Sequence, residues 1–202
     1  MNQPVFFPPD PPGASRMLEG IVPLDRQFGA HPKQVVPDCL RPLLFSPDQG
    51  GCFALLDAAA ITDLPLILET CGLAHDCLFQ GEALASMAEV APWIVRLDPD
   101  SLLTRRLLSD TGDGWGLWGD GAVFLRSAAS LDDLRRHFRR FTRLYDAATG
   151  KWLFFRFYAA ATMRGMISAM APARLARFAG PVTSFIVPAT GSRALLIQPE
   201  PA

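Results

Sequence analysis

The sequence has no apolar run close to the ~20 residues that a membrane-spanning helix needs, so no transmembrane segment is expected. Its N-terminus, residues 1–9, lacks the basic start and apolar core of a secretory signal peptide. It also has no excess of positive charge, because 19 Lys and Arg face 20 Asp and Glu. A net charge of −1 creates no overall field that would attract nucleic acid. These absences predict a cytoplasmic protein that spans no membrane and binds no nucleic acid.

Cysteine is scarce, and its positions form no C-x-x-C pair. The four cysteines are Cys39, Cys52, Cys71 and Cys77. In a chain of this size without a signal peptide, this pattern favours reduced thiols over disulfides. Cys71, His75 and Cys77 lie close in sequence, but a zinc site usually needs a fourth ligand, and no partner for them is apparent. The sequence therefore predicts no metal site.

Histidine is also rare, with three in the chain. His31, His75 and His137 lie in no nucleophile-elbow or protease-like signature. Residues 114–119 do match the dinucleotide-binding pattern G-x-G-x-x-G. However, a helix is predicted before this segment and a strand after it, whereas a phosphate-binding loop needs the reverse order. The sequence therefore predicts no enzymatic activity and no cofactor.

Hydrophobic residues make up 50% of the 202 residues, which is enough for one sizeable core. Proline is concentrated at the N-terminus, where residues 1–50 hold ten of the 18 prolines. Proline lacks an N–H donor and interrupts helices and sheets alike. We therefore predict a proline-rich arm over residues 1–50, extended or partly disordered, followed by a single α/β domain over residues 51–198.

Segments with strand character alternate with helical segments along the predicted domain. A buried strand is predicted over residues 52–56, a helix over 64–71 and a short strand over 77–79. The alternation continues to final strands at residues 182–187 and 194–197. Because strands separated by helices imply crossover connections, we predict a mixed, mainly parallel sheet with helices packed on it.

The clearest periodic pattern begins at Ser130, which is placed to cap a helix. Over residues 131–145, five apolar residues recur at spacings of three and four, and five arginines occupy a separate arc of the helical wheel. The apolar residues are Leu131, Leu134, Phe138, Phe141 and Tyr145; the arginines are Arg135, Arg136, Arg139, Arg140 and Arg143. We predict an amphipathic helix, a turn over residues 146–150, and an aromatic strand over 152–158 that is covered on both faces.

Several of these residues have two interpretations. The arginine face is either a solvated surface or a contact with an acidic partner. Trp115 and Trp118, in a glycine-rich segment, are either core anchors or interface hot spots. Arg156 lies among aromatic residues, and a buried guanidinium needs a partner. We predict an ion pair between Arg156 and Asp57 at the end of the first strand; the alternatives are an arginine that reaches water or lines a partner groove.

Eight segments, in order and approximate spacing, resemble one family. They are residues 53–59 (FALLDAA), 77–81 (CLFQG), 91–97 (APWIVRL), the tryptophan–glycine turn at 115–119, 124–126 (FLR), 134–141 (LRRHFRRF), 153–158 (LFFRFY) and 180–182 (GPV). Together they are similar to the adaptor (effector chaperone) domain family of the bacterial type VI secretion system, which is catalogued as a domain of unknown function. The resemblance covers roughly residues 51–187.

Membership of that family would imply a cytoplasmic, non-enzymatic adaptor that needs no cofactor. Such adaptors bind one toxic effector, often through its N-terminal or spike-tip region, and help to load it onto the valine–glycine-repeat spike protein before firing. Family members typically place an aspartate and a proline after the Phe-Arg-Phe-Tyr strand, whereas residues 159–161 are all alanine here. That departure bears on the start of the next helix and on the contact with the effector.

The leading hypothesis is an adaptor that recognises a secreted effector by protein–protein contact, with the spike protein as a second candidate partner. An interface needs an aromatic or arginine centre, and six residues supply that chemistry. They are Trp115, Trp118, Arg136, Arg140, Arg156 and Tyr158. The alternative is a small-molecule-binding or hydrolytic α/β domain with its site at the strand C-terminal ends, in a polar pocket holding His75, Asp57 or a cysteine.

Overall fold

A seven-stranded antiparallel sheet, with helices on both faces, organises the fold in the computed structural model, which describes residues 15–200. The strands in this part of the chain are β1 (Ser15–Leu18), β2 (Gly51–Asp57), β3 (His75–Cys77), β4 (Pro92–Arg96), β5 (Ala122–Ser127), β6 (Arg143–Asp146), β7 (Lys151–Phe154), β8 (Val182–Ala189) and β9 (Arg193–Ile197). The α-helices are α1 (Arg41–Leu44), α2 (Leu64–Thr70), α3 (Glu82–Met87), α4 (Leu102–Leu107), α5 (Leu131–Arg139), α6 (Ala160–Ala169) and α7 (Pro172–Ala179), with 3-10 turns at Pro47–Gln49 and Ala88–Val90. No helix between residues 15 and 200 is long and apolar enough to cross a membrane.

The strand order in the main sheet is β1-β9-β8-β5-β2-β4-β3, and every neighbouring pair is antiparallel. The prediction of a mainly parallel sheet is therefore wrong. The reason is the placement of the strands in the sheet: β2 and β3 run in the same direction, as do β4 and β5, but neither pair is adjacent. Strand β4 lies between β2 and β3, and β2 lies between β4 and β5, each antiparallel to its neighbours. The crossover connections through α2 and α4 therefore join strands that do not pair with each other.

The central strands are buried on both faces because successive side chains point to opposite sides of the sheet. On one face, Ala54 and Leu56 of β2 pack in a core with α1, α2 and α4. On the other, Phe53 and Leu55 pack in a second core with α5, α6 and α7. The predicted buried strand over residues 52–56 is confirmed as part of β2, whose residues 52–57 are all buried.

Much of the predicted proline-rich arm is part of this body. Strand β1 pairs with β9 at one edge of the sheet, and α1 buries Leu44 in the core. Arg126 of β5, which is fully buried, donates hydrogen bonds from its guanidinium to the main-chain oxygens of Leu44, Ser46 and Gly50. The boundary at residue 50 stays a prediction, and residues 1–14 of the arm lie outside the described residues.

Helix α5 has the predicted start and an earlier end. Ser130 Oγ accepts a hydrogen bond from the main-chain N–H of Asp133 at 3.1 Å, so the cap is confirmed. The helix ends at Arg139, and residues 143–146 form β6 instead of its last turn. The prediction of a covered strand over 152–158 is also wrong, because β7 is exposed along its whole length. Tyr145 fits the helical stripe in sequence, but the chain turns back at residues 147–150 and pairs β6 with β7.

Candidate functional site

Strands β6 and β7 form an antiparallel hairpin over residues 143–154, which we call the aromatic ribbon. Leu144 lies opposite Leu153, and Tyr145 lies opposite Trp152. These four side chains and that of Phe154 are between 46% and 65% exposed. Large apolar side chains that stay in contact with water as a group mark interaction sites in soluble proteins.

The two faces of the aromatic ribbon differ in chemistry. The rings of Tyr145 and Trp152 are 5.4 Å apart on one face, where the Arg143 guanidinium lies 5.2 Å from the centre of the Phe154 ring. The two leucines lie on the opposite face because side chains alternate along a strand. One face is therefore aromatic and cationic, and the other carries the two leucines beside Asp146 and Lys151.

The turn of the ribbon uses its own carboxylate. Asp146 accepts hydrogen bonds from the main-chain N–H of Ala148 at 3.0 Å and from the Thr149 hydroxyl at 2.6 Å. These bonds stabilise the charged form and lower the pKa of Asp146. Gly150 closes the turn with φ +67°, a backbone angle that favours glycine. The acidic side chain of the ribbon is thus committed to the turn.

The ribbon joins the body of the protein at a small cavity. The Phe154 ring lies 5.1 Å from that of Phe79, and the main-chain N–H of Phe155 donates to Thr142 O at 2.9 Å. A cavity of about 180 Å³ opens beside these contacts, and its lining includes Phe79, Phe154, Arg139 and Arg143. Two arginines and two aromatic rings therefore border a space the size of one side chain.

An ion pair anchors the chain immediately after the ribbon. Arg156 Nη2 lies 2.5 Å from Asp57 Oδ2, so the structure brings together the two residues that the sequence analysis paired. Asp57 is fully buried at the end of β2, and its Oδ1 accepts a hydrogen bond from the main-chain N–H of Ala59 at 3.1 Å. The bond to Asp57 raises the pKa of Arg156. Burial, together with the Asp57 charge, raises the pKa of the neighbouring Tyr158 to about 12.

The five arginines of the predicted arginine face fall into two groups. Arg135 and Arg136 are neutralised: Arg135 lies 3.0 Å from Asp132 and 3.3 Å from Asp76, and Arg136 lies 3.1 Å from Asp132 and 2.7 Å from Asp133. Because each of these two guanidiniums already has two carboxylates, this end of the helix is electrostatically satisfied.

Arg139, Arg140 and Arg143 have no carboxylate within ion-pair distance among residues 15–200. Arg139 donates to the neutral amide oxygen of Gln80, and Arg140 donates to His137 Nδ1 at 2.8 Å. All three arginines are exposed, and they lie between the end of α5 and the ribbon. The uncompensated positive charge of this region is therefore concentrated at the base of the aromatic ribbon.

Trp115 is held between cations. The guanidinium of Arg26 lies 4.7 Å from the ring centre, that of Arg105 4.8 Å and that of Arg106 5.9 Å. Arg26 also pairs with Asp113 at 2.5 Å. Residue 26 and the glycine-rich loop are far apart in sequence. These contacts therefore join the N-terminal segment to that loop.

Trp118 stacks on Phe124 with ring centres 6.1 Å apart and packs against the core on the first face of the sheet. Tyr158 is buried in the core on the opposite face. Arg136 is exposed on α5, which covers that second face, and Arg140 is exposed directly after the helix. The six residues named from the sequence are thus distributed over both sides of the sheet, and the structure does not bring them together.

The ribbon side chains are not among the partner-binding residues predicted from the sequence, and Arg139 and Arg143 are predicted only as members of the arginine face that either is solvated or contacts an acidic partner. A signal for the hairpin existed: residues 143–145 and 151–154 flank an Asp-Ala-Ala-Thr-Gly turn, a pattern typical of a hairpin. The helical spacing of Tyr145 from Phe141 obscured it.

The three alanines at 159–161 leave the start of α6 without a side-chain cap. Asp120, from the loop before β5, takes over part of that role. Its main-chain oxygen accepts a hydrogen bond from the Ala160 N–H at 3.1 Å, and its carboxylate lies 3.2 Å from Arg164. The helix start is therefore held by a distant loop instead of by the preceding residue.

A cavity of about 360 Å³ lies beside the glycine-rich loop at the end of β2. Its lining includes Ile61, Arg106, Trp118 and residues 119–121, and neither Asp57, His75 nor a cysteine lines it. His75 Nδ1 lies 2.8 Å from the main-chain oxygen of Leu73. Among residues 15–200, His, Cys, Asp and Glu form no group of three or more that could hold a metal ion.

The fold and these surfaces define a small domain with an antiparallel sheet, helices on both faces of that sheet, and an exposed aromatic ribbon. Residues 52–177 match the family described as a domain of unknown function (DUF4123), and because the match covers more than half of the chain, the protein belongs to this family. No curated protein and no solved structure matches the chain.

Proposed function

We propose that this protein is a cytoplasmic adaptor that binds a toxic effector of a type VI secretion system and helps to load it onto the valine–glycine-repeat spike protein. The proposal includes no catalytic step and no cofactor. Its first support is the ordered set of sequence segments that resembles the effector-adaptor family. Its second support is the presence of a surface suited to holding another polypeptide.

The aromatic ribbon is the observation that carries the proposal. A lone two-stranded hairpin is marginally stable in water, and this one exposes its apolar side chains on both faces. Its five large apolar side chains are about half exposed. Covering the remaining half of each would contribute roughly 1 kcal/mol per residue, or about 5 kcal/mol in total. A partner that covers the ribbon therefore gains a substantial apolar contribution to binding.

Affinity capture from the native cell tests the proposal. The wild-type protein is compared with a Tyr145→Ser/Trp152→Ser variant, which removes the two exposed rings and leaves the contact between Phe154 and Phe79 in place. Phe28→Ser is the matched control, because Phe28 is 87% exposed and lies outside the ribbon. We expect wild type and control to retain a toxin-like protein, identified by mass spectrometry, and the ribbon variant to lose it.

A deletion strain supplies the functional readout. Loss of the protein should abolish secretion of the captured toxin, and the Phe28→Ser variant should restore secretion while the ribbon variant does not. Normal secretion in the deletion strain would contradict the adaptor proposal.

A further inference from the structure

We infer that the partner segment that docks on the aromatic ribbon carries carboxylates among apolar side chains, and that one carboxylate binds between Arg139 and Arg143 in the cavity at the base of the ribbon. The inference rests on the proposed adaptor function and specifies the chemistry of the partner at that surface. The occupant is a segment of another protein, acidic and apolar together.

The apolar half of the partner follows from the exposed side chains. Tyr145 and Trp152 pack on each other and are still 57% and 65% exposed, so a partner side chain has access to both rings. Aromatic residues contribute most at interfaces when a partner removes them from water. A wholly hydrophilic segment would leave this surface hydrated.

The acidic half follows from the distribution of charge. The paired arginines, Arg135 and Arg136, lie toward the start of α5, whereas Arg139, Arg140 and Arg143 have no carboxylate within ion-pair distance among residues 15–200. The carboxylate of Asp146 already accepts hydrogen bonds within the turn of the ribbon. The charge that remains at the base of the ribbon is therefore positive, and its complement is a carboxylate-bearing partner.

The cavity gives this charge a defined place. Its volume of about 180 Å³ is suited to one side chain, and Arg139 and Arg143 both line it. Arg139 donates there to the neutral oxygen of Gln80, an acceptor that a carboxylate can replace with a stronger bond between two charged groups. The rings of Phe79 and Phe154 border the same space and accept the aliphatic stem of a glutamate.

Fluorescence anisotropy with three labelled peptides tests the inference on the full-length protein. The peptides share the same leucine and phenylalanine residues and differ at the intervening positions, which are all Glu, all Gln or all Lys. We expect the Glu peptide to bind about 10-fold more tightly than the Gln peptide, and the Lys peptide to bind most weakly. The preference for Glu should weaken as the salt concentration rises.

A charge-reversed variant distinguishes loss of the carboxylate site from unfolding of the protein. In an Arg139→Glu/Arg143→Glu variant we expect the Glu peptide to lose about 10-fold in affinity and the Lys peptide to gain affinity, a result that an unfolded protein would not give. Arg136→Gln is the matched control on the same helix, because Asp132 and Asp133 already neutralise Arg136. It should leave the affinity for all three peptides unchanged. Trp152→Ser should weaken the Glu and Gln peptides equally.

Several results would overturn the inference. Equal affinity for the Glu and Gln peptides would remove the acidic requirement, and an effect of Arg136→Gln as large as that of the double variant would remove the site from Arg139 and Arg143. A dimer in solution that the double variant dissociates would assign the surface to a second copy of this chain. Tight binding of single-stranded DNA, lost in the double variant, would assign it to nucleic acid.

The peptide experiment and the cell experiment test the acidic site and the adaptor function separately. Capture of a secreted toxin through the ribbon, without a preference for the Glu peptide, would leave the adaptor function standing and refute the acidic site. A charge-reversed peptide preference without any captured toxin would support the acidic site and count against the adaptor function.

Discussion

The Asp57–Arg156 pair gives the most direct test of how the ribbon is attached to the fold. Replacing Arg156 by Met keeps much of the side-chain volume and removes the guanidinium that lies 2.5 Å from the Asp57 carboxylate. Asp57 is fully buried, so its charge would lose its cationic partner where water does not replace it. The variant therefore tests the energy of a pair with one end in the core.

The expected magnitude lies between two limits. Breaking a fully buried pair costs about 3–5 kcal/mol, and an exposed pair contributes about 0.2–1 kcal/mol. The Arg156 side chain is 51% exposed while that of Asp57 is not exposed at all. We therefore expect Arg156→Met to lower the free energy of unfolding by about 2 kcal/mol, which corresponds to a Tm lower by roughly 4–8 °C for a chain of this size.

A double-mutant cycle isolates the pair. Asp57→Asn removes the charge and keeps an oxygen that can accept the Ala59 N–H bond, so its cost should be about 1 kcal/mol. In the Asp57→Asn background, Arg156→Met should cost only a few tenths of a kcal/mol, because no buried carboxylate is left without a cationic partner. Urea unfolding followed by circular dichroism measures all four proteins.

Additive costs would refute this reasoning. If Arg156→Met destabilised the protein by the same amount in the wild-type and the Asp57→Asn backgrounds, the pair would not hold the chain after the ribbon. A cost below about 0.5 kcal/mol in the wild-type background would lead to the same conclusion.

Two further predictions concern buried titratable groups. Burial and the neighbouring Arg140 lower the pKa of His137, so stability should fall as pH drops below the ordinary histidine value of about 6.5, because the unfolded chain then binds the proton that the folded chain does not. Urea midpoints between pH 7 and 5 check this, and a slope that persists in His137→Gln would contradict it. Burial raises the pKa of Cys52 to about 12 and that of Cys77 to about 11, so iodoacetamide should modify both only when the protein unfolds. Mass spectrometry of native and urea-treated protein checks this; rapid labelling of Cys52 in the native state would show that the strand is open.

Local chemistry was predictable where it is decided within a few residues. Ser130 caps α5 because its hydroxyl reaches an N–H three residues on, and this follows from the sequence. The two ends of α7 are decided in the same local way, because proline suits the first turn of a helix and glycine suits the position after its end; the helix begins at Pro172 and is followed by Gly180. The pairing of Asp57 with Arg156 followed from the cost of leaving a guanidinium alone among aromatic residues.

Strand direction and the ribbon depended on information beyond local patterns. Alternation of strands and helices gives the same sequence pattern for parallel and antiparallel sheets. Here the pairing is antiparallel because an oppositely directed strand lies between β2 and β3 and between β4 and β5. Tyr145 satisfies a helical spacing and also a strand alternation with Arg143. The choice between the two is made by the pairing of β6 with β7, which no single segment encodes.

The division of the five arginines into a neutralised group and an uncompensated group also could not be predicted from the sequence. Five arginines on one arc of a helical wheel look equivalent, yet the carboxylate of Asp76, which lies 3.3 Å from Arg135, comes from β3. Only the tertiary arrangement shows which guanidiniums are neutralised and which remain available.

The hydrogen bonds from Arg126 to the chain before β2 have a practical consequence for anyone who trims this protein. A fragment cut to the recognisable family region, residues 52–177, would lose β1, β8 and β9, which are three of the seven strands of the sheet. It would also lose the three carbonyl groups that surround the Arg126 guanidinium, and would leave that charge facing an uncovered apolar layer. The smallest piece expected to fold by itself is therefore the span from β1 to β9, and shorter fragments should aggregate on expression.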